Sequence, residues 1–191
     1  MTFRKSILTI MFCLILISGF GQKFDFIKVI AGKGIVFNND SILIEITNIN
    51  QTCKILGIIP PPSSDLILMS EWSGFDSETF EKTSGTEWLR EIKYKSLVFK
   101  FSSEDDKNNL KLRWIKIKKD NTIKAYTDTG FEFCDINPNI SETYPNESKF
   151  DYVSDNELTY NLYSHGISFQ LKKENETNKR LSEISVHYIL K

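Results

Sequence analysis

The chain has 191 residues, of which 40% are apolar and 13% aromatic, and its formal charge is −1 at pH 7. This composition is typical of an ordinary globular protein that buries one sizeable core. Because 24 basic residues are balanced by 25 acidic ones, the composition excludes the strongly basic character that favours nucleic-acid binding.

The N-terminus has the features of a secretory signal, in the required order. Two basic residues in MTFRK precede the apolar run ILTIMFCLILISGF, and Gly19 and Gly21 form a small-x-small cleavage pattern. A membrane-spanning helix needs about 20 apolar residues, so the shorter run favours a cleaved signal, with a lipid anchor at Cys13 as the weaker alternative. Residues 1–21 are therefore predicted to be a signal peptide. The mature chain would be extracytoplasmic, periplasmic or secreted, with no membrane span and a formal charge of −3.

Two short strands are predicted in the first part of the mature chain. GIVF (34–37) and SILIEI (41–46) lie on either side of NND, which favours a tight turn. Further along, residues 65–92 form a stretch that the second half of the chain lacks. Its apolar and aromatic side chains must be largely covered: Leu66, Leu68, Trp72, Phe75, Phe80 and Trp88.

A short helix is predicted between these strands and that stretch. In TNINQTCKILG, Thr47 or Asn48 can cap the helix and Gly57 can end it. The prolines at 60–62 prevent its continuation. One face of the helix is apolar and would pack on a sheet: Ile49, Cys53 and Leu56.

A hairpin pattern occurs twice, about seventy residues apart. In YKSLVFKF and again in YSHGISFQL, apolar and polar residues alternate, and a second strand follows each across the polar loop SSEDDKNN or KKENETNK. This alternation predicts two β-hairpins, each with one face on a core. The offset is 70 residues for the first strand and 69 for the second, and the matched positions are Leu97/Ile167, Phe99/Phe169, Phe101/Leu171, Leu112/Leu181, Ile115/Ile184 and Ile117/Val186.

Both hairpins share one irregularity. The apolar phase slips by one residue between Leu112 and Ile115, and again between Leu181 and Ile184. An extra residue in a strand switches the face on which later side chains emerge. We therefore predict a β-bulge at Arg113-Trp114 and a second one at Ser182-Glu183.

The matches predict an α+β fold of two tandem repeats, each a short helical segment packed on an antiparallel sheet. The first repeat would span residues 22–118, including the Trp-rich insertion, and the second residues 119–191. KKDNT (118–122) is the predicted turn between them. In the second half GFEF (130–133) corresponds to GIVF, and NPNISETY (137–144) is the only candidate for an equivalent helix.

A capped short helix ending in Leu-Gly, a proline soon after it and a hairpin with a Phe-x-Phe strand resemble the repeat of the SmpA/OmlA-type envelope assembly lipoproteins. A doubled form of that fold occurs in the secreted β-lactamase inhibitor proteins. The resemblance implies a non-enzymatic protein that binds another protein through a sheet face. The residues that carry it are Thr47, Leu56, Gly57, Pro60, Phe99 and Phe101.

The predicted bulge also indicates a binding surface. After the phase slip, Trp114 would share a strand face with Lys116 and Lys118 rather than with the neighbouring isoleucines. An exposed Trp on a charged face is typical of a protein-interface anchor. The alternative is that the segment from Trp72 to Trp88 folds over Trp114. The basic residues of the Trp114 strand are otherwise typical of a solvated face. A fainter candidate patch consists of Tyr160, Tyr163 and His165.

Few residues favour catalysis, and no metal site or cofactor is predicted. His165 and His187 fall in predicted strands and would point to the polar face, without a cluster of zinc ligands around them. Cys53 and Cys134 could form a disulfide in an oxidising compartment, or could be two separately buried thiols.

Three hypotheses of function follow from the sequence. The first is an exported, non-enzymatic binding or scaffold protein with an unknown protein partner and no nucleic-acid ligand. An immunity or inhibitor protein is a specialised form of it. The competing hypothesis is a small secreted hydrolase that uses scattered carboxylates, such as those of Asp76, Glu78, Asp105 and Asp151.

Overall fold

The computed structural model describes residues 24–65, 67–75, 82–104, 106–133, 135–145, 150–154 and 156–189. The predicted signal peptide, residues 1–21, lies outside the described residues. Within them, no helix has the length and apolar character that crossing a membrane requires.

The described residues form twelve strands, which make up two sheets. The small sheet has the strand order β3-β2-β1-β8, and the large sheet has the order β4-β5-β6-β7-β12-β11-β10-β9. Neighbouring strands are antiparallel except β1 and β8, which are parallel. The strands are β1 (Asp25–Ile30), β2 (Gly34–Phe37), β3 (Asp40–Leu43), β4 (Ile67–Phe75), β5 (Lys82–Tyr94), β6 (Leu97–Ser103), β7 (Lys111–Lys118), β8 (Ile123–Thr127), β9 (Phe150–Val153), β10 (Glu157–Leu162), β11 (Ile167–Lys173) and β12 (Lys179–His187).

The helices of the described residues are short. α1 (Ile49–Leu56) begins with a capping box, in which the Asn48 side chain accepts from the Gln51 N–H and the Gln51 side chain accepts from the Asn48 N–H. Gly57 ends it in the left-handed conformation, at φ 68°. The predicted helix is thus confirmed, with Asn48 as its cap. α2 (Ile140–Thr143) has only four residues, and two further helical turns are of the 3-10 type, at Ser63–Asp65 and Tyr163–His165.

The predicted α+β fold class, with a helical segment packed on an antiparallel sheet in each tandem repeat, is wrong. The fold is mostly β, and the layer that covers the core side of the large sheet is the small sheet together with α1. The fold class differs from the prediction because the sequence patterns do not predict strands β1 and β8. Their alternating residues are buried in the same core as the large sheet: Ile27, Val29, Ile123 and Ala125.

Both sheets contain strands from each of the two predicted segments. Residues 119–191 contribute β8 to the small sheet, where it pairs with β1. In the large sheet, β12 pairs with β7, so the two hairpins β6–β7 and β11–β12 lie side by side. The segments before and after residue 118 therefore share one hydrophobic core.

The two predicted bulges are confirmed. Leu112 pairs with Phe101 and Trp114 pairs with Lys100, which leaves Arg113 as the extra residue of β7. Likewise Leu181 pairs with Leu171 and Glu183 with Gln170, so Ser182 is the extra residue of β12. Each bulge lets its strand keep apolar residues on the core side both before and after it.

Two tight turns of the large sheet contact opposite ends of β1. Lys95, in the turn between β5 and β6, forms an ion pair with the carboxylate of Asp25, which is 6% exposed. Burial alone would raise the pKa of Asp25, but hydrogen bonds from Lys95 and Asn38 and the charge of Lys95 outweigh it and lower that pKa. In the turn between β10 and β11, the Gly166 carbonyl accepts from the Gly32 N–H at 3.2 Å. These contacts fix the small sheet on the large one.

Candidate functional site

The outer face of the large sheet, opposite the core, carries most of the predicted binding residues. Trp114 and Lys116 are half-buried and Lys118 is exposed, whereas the intervening Ile115 and Ile117 are fully buried. The predicted shared face of Trp114, Lys116 and Lys118 is therefore confirmed. We call the patch formed by Trp114 and its neighbours the Trp114 face; it comprises Lys100, Trp114, Lys116, Ser168, Gln170, Glu183 and Ser185.

Two lysines lie over the indole ring of Trp114. The Nζ atom of Lys100 is 4.5 Å from the ring centroid, and that of Lys116 is 5.0 Å away. Both ammonium groups also reach carboxylates, Lys100 at 3.5 Å from Glu91 and Lys116 at 3.0 Å from Glu183. Cation–π contacts at such partly exposed positions contribute about 0.5–1 kcal/mol each. They hold the lysine side chains over the ring.

The indole N–H of Trp114 is unpaired among the described residues. Its Nε1 atom is buried and makes no hydrogen bond in the part of the chain that the structure describes. Leaving a buried donor unpaired costs about 1–3 kcal/mol. Trp114 lies on the solvent side of the sheet. A hydrogen-bond acceptor on a binding partner could therefore remove this cost once the lysine side chains move aside.

A shallow groove of about 240 Å³ lies next to Trp114. Its floor is formed by four adjacent strands, β7, β12, β11 and β10. The groove is polar, because alternate residues of these strands point away from the core. Its lining residues are Trp114, Lys116, Thr159, Asn161, Ser168, Phe169, Gln170, Glu183 and Ser185.

Tyr163 and His165 lie in one short turn but their rings contact different residues, and Tyr160 is not exposed beside them. Tyr163 is half exposed and its ring lies 5.6 Å from that of His187. The His165 ring lies 4.8 Å from Tyr144, a residue of the core. Tyr160 is itself buried in the core. The predicted strand at His165 is wrong, because Tyr163–His165 is a 3-10 turn that Gly166 ends in the left-handed conformation.

His187 is held at the edge of the Trp114 face. It pairs across the strands with Trp114. Its Nδ1 atom is 3.1 Å from the Tyr188 carbonyl, which can only accept, so Nδ1 carries the proton in this contact. Nε2, at 3.2 Å from Ser168 Oγ, then accepts from the hydroxyl group. His187 thus lies on the polar side of the sheet, as the alternation predicted.

The backbone of the predicted insertion forms β4 and β5, which extend the large sheet beyond β6. Trp72 pairs with Gly85 and Leu68 with Trp88 within this hairpin. Phe80 lies outside the described residues. The segment that could have folded over Trp114 is therefore, where it is described, a continuation of the same sheet.

The other sequence candidates are dispersed. Cys53 is buried and forms no disulfide among the described residues, and burial raises the pKa of its thiol. Cys134 lies outside the described residues, and a Cys53–Cys134 disulfide stays a prediction. Among the carboxylates of the hydrolase hypothesis, Asp76, Glu78 and Asp105 also lie outside the described residues, and Asp151 is a residue of β9. Within the described ranges no group of three His, Cys, Asp or Glu residues could hold a metal ion.

Sequence reasoning missed two features that the structure reveals. The first is an exposed aromatic pair on the outer face of the small sheet, Phe26 at 53% and Tyr126 at 40% exposure. The second is a cavity of about 670 Å³ beside the N-terminal end of α1, lined in part by Arg90. The alternation of KFDFIKVI could have revealed the first, but the second depends on contacts between distant segments.

No family model, curated protein or solved structure matches the chain. The resemblance to the SmpA/OmlA-type lipoproteins and to the β-lactamase inhibitor proteins therefore stays a prediction.

Proposed function

We propose that this chain is an exported, non-enzymatic binding protein that engages another protein through the Trp114 face of its large sheet. The observation that carries the proposal is the unpaired N–H of a half-buried Trp on the solvent side of the sheet. Tryptophan is enriched among the residues that dominate interface energetics, and the cost of its unpaired donor is one that binding can remove.

The surroundings of Trp114 favour a protein over a small molecule as the partner. The adjacent groove of about 240 Å³ is smaller than the roughly 300–1,000 Å³ of typical small-molecule sites. It lies on a broad sheet face rather than in a closed pocket. Ion pairs at its rim, such as Lys116–Glu183, resemble the polar rim that surrounds an interface anchor.

Export is the second part of the proposal and depends on residues 1–21. An extracytoplasmic binding protein can act as a scaffold in the cell envelope or as an inhibitor or immunity protein against a secreted enzyme. These forms share one requirement, a stoichiometric protein partner at the Trp114 face. The hydrolase alternative does not require such a partner.

The proposal is tested by affinity capture from envelope and secreted fractions with the mature chain as bait. Trp114→Ala should abolish capture of a stoichiometric partner while the thermal unfolding temperature stays close to that of the wild type. Phe26→Ala is the matched control, because it removes an exposed aromatic side chain from the other sheet. It should leave capture unchanged.

Two results would contradict the proposal. One is capture that survives Trp114→Ala but is lost with Phe26→Ala, which would assign binding to the small sheet. The other is a loss of stability of about 3 kcal/mol or more in Trp114→Ala, which would make Trp114 a core residue.

A further inference from the structure

A further cavity lies on the other side of the large sheet from the Trp114 face. It has a volume of about 670 Å³, within the range of small-molecule sites. Its walls come from four segments, namely the start of α1, the prolines after it, strand β5 and the loop between β6 and β7. The lining residues are Asn48, Ile49, Asn50, Pro60, Pro61, Arg90, Lys107, Asn108, Asn109 and Leu110.

Arg90 is out of place in the alternation of β5. It pairs across the strands with Phe101, which is fully buried, and the next residue on the same side of β5 is the buried Ile92. An apolar residue is the norm at such a position. The guanidinium group instead faces the cavity at the edge of the core, where the acidic and basic residues of the outer face cannot reach it.

No carboxylate of the described residues forms an ion pair with Arg90. Its Nε atom is buried and meets no acceptor in the described part of the chain. Among the described residues, the ion pairs include neither Arg90 nor Lys107. A partly buried cation without a counter-ion is unfavourable because its desolvation is not offset.

The described lining of the cavity contains other donors and no carboxylate. Lys107 adds a second cation, and four of the ten lining residues carry side-chain amides: Asn48, Asn50, Asn108 and Asn109. The nearest acidic residue along the loop, Asp106, accepts a hydrogen bond from the Asn108 backbone N–H at 2.8 Å and is not part of the lining. Ile49, Leu110 and the two prolines provide apolar surface beside the cations.

We propose that this cavity binds a small organic anion, with a carboxylate or phosphate group on Arg90 and Lys107. The planar guanidinium group can donate two parallel hydrogen bonds to either oxyanion. The apolar part of the ligand would lie against Leu110 and the prolines. This site is separate from the Trp114 face and does not depend on the function proposed for it.

Titration of the mature chain with inorganic phosphate, and in parallel with acetate, tests the proposal. Sodium chloride at matched ionic strength is the reference. Backbone amide shifts of residues 107–110 and the thermal unfolding temperature are followed. One of the two anions should shift these amides and raise the unfolding temperature beyond the effect of chloride, and the more effective anion identifies the group that the cavity prefers.

Arg90→Gln should weaken that binding by at least about tenfold, the loss expected for a charge-assisted hydrogen bond. Without added anion, its unfolding temperature should equal or exceed that of the wild type, because an uncompensated charge has been removed. Arg180→Gln is the matched control: it removes the same charge next to Glu174, outside the cavity, and should keep the full response.

If Arg90→Gln does not fold, Lys107→Gln replaces it, since Lys107 is an exposed loop residue, and a weaker response to the same anion supports the site. The proposal is overturned if neither anion acts beyond chloride. It is also overturned if Arg90→Gln, or Lys107→Gln in its place, responds like the wild type.

Discussion

The hairpins β6–β7 and β11–β12 carry similar residues on the side that faces the core and different residues on the outer side. On the core side, Phe99 corresponds to Phe169 and Ile115 to Ile184, and all four are fully buried. Each hairpin has one bulge, at Arg113 or at Ser182. On the outer side, however, Trp114 is matched by Glu183, and the other differences are Lys100/Gln170, Lys116/Ser185 and Lys118/His187.

This contrast separates the residues that pack the core from those of the proposed binding face. The core side of both hairpins must fill the same space against the small sheet, so its residue types are restricted. The outer side has no such requirement, and there the first hairpin has a tryptophan beside two lysines. A Trp is not needed to build a hairpin of this kind, because the second hairpin has Glu183 in its place.

The largest expected effect comes from the shared core side. Phe99→Ala and Phe169→Ala should each lower the free energy of unfolding by about 3–5 kcal/mol, since each removes a fully buried ring. Urea denaturation measures both changes. Similar losses support equivalent packing of the two hairpins, whereas a loss below about 1 kcal/mol in one of them would show that the core sides are not equivalent.

The turn before β11 gives the next effect. A Cβ atom at Gly166 would lie 2.5 Å from Gly32 Cα and from the His187 carbonyl oxygen, and φ is +65°. Gly166→Ala should therefore destabilise the protein by about 2 kcal/mol or more. Gly57→Ala is the control, because φ is similar there but nothing lies within 4 Å of the added Cβ. It should cost only about 1–2 kcal/mol, and equal losses would contradict the close approach of the turn to Gly32.

The corresponding turn before β6 predicts a pH-dependent effect. Lys95→Met removes the ion-pair partner of Asp25 and should cost about 2 kcal/mol at pH 7, a value discounted because Lys95 is partly exposed. Since Lys95 and Asn38 lower the pKa of Asp25 in the folded state, this stabilisation is present above the unfolded-state pKa of about 3.9. It is lost as the pH falls through the lower folded-state pKa.

The difference in unfolding free energy between wild type and Lys95→Met should therefore narrow below about pH 4. Thermal or urea unfolding from pH 7 to pH 2 measures it. A difference that is constant over this range would mean that the charge of Asp25 is not involved.

The smallest effect is expected on the outer side. Trp114→Phe removes the unpaired N–H and keeps a ring under the lysines, so stability should change by less than about 1 kcal/mol. Glu183→Gln, at the matched position, removes the ion-pair partner of Lys116 and should change the stability by a similarly small amount. Urea denaturation of both variants provides the measurement, and a large loss in Trp114→Phe would place the indole among the packing residues.

Local patterns predicted the parts of the fold that depend on neighbouring residues. The hairpins, the two bulges and the cap and end of α1 follow from alternation, phase and capping residues. In the small sheet the same holds for β2 and β3, but not for the parallel pairing of β1 with β8, a strand that follows the predicted boundary at residue 118. Such long-range pairing leaves no local signal, so the sequence predicts the short helices, rather than a second sheet, as the layer on the core.

The candidate site divides in the same way. The position of Trp114 beside Lys116 follows from the bulge, which the sequence predicted. The approach of Lys100 to the ring, the 3-10 turn at His165 and the cavity beside Arg90 depend on pairing between strands and on loops that meet from distant parts of the chain.

Oxidative footprinting of the mature chain with and without its captured partner tests the binding role of the Trp114 face most directly. The peptide that contains Trp114 should become protected in the complex, while the exposed Phe26 on the other sheet keeps its reactivity. Protection at Phe26 with unchanged oxidation at Trp114 would contradict the account and assign the partner to the small sheet.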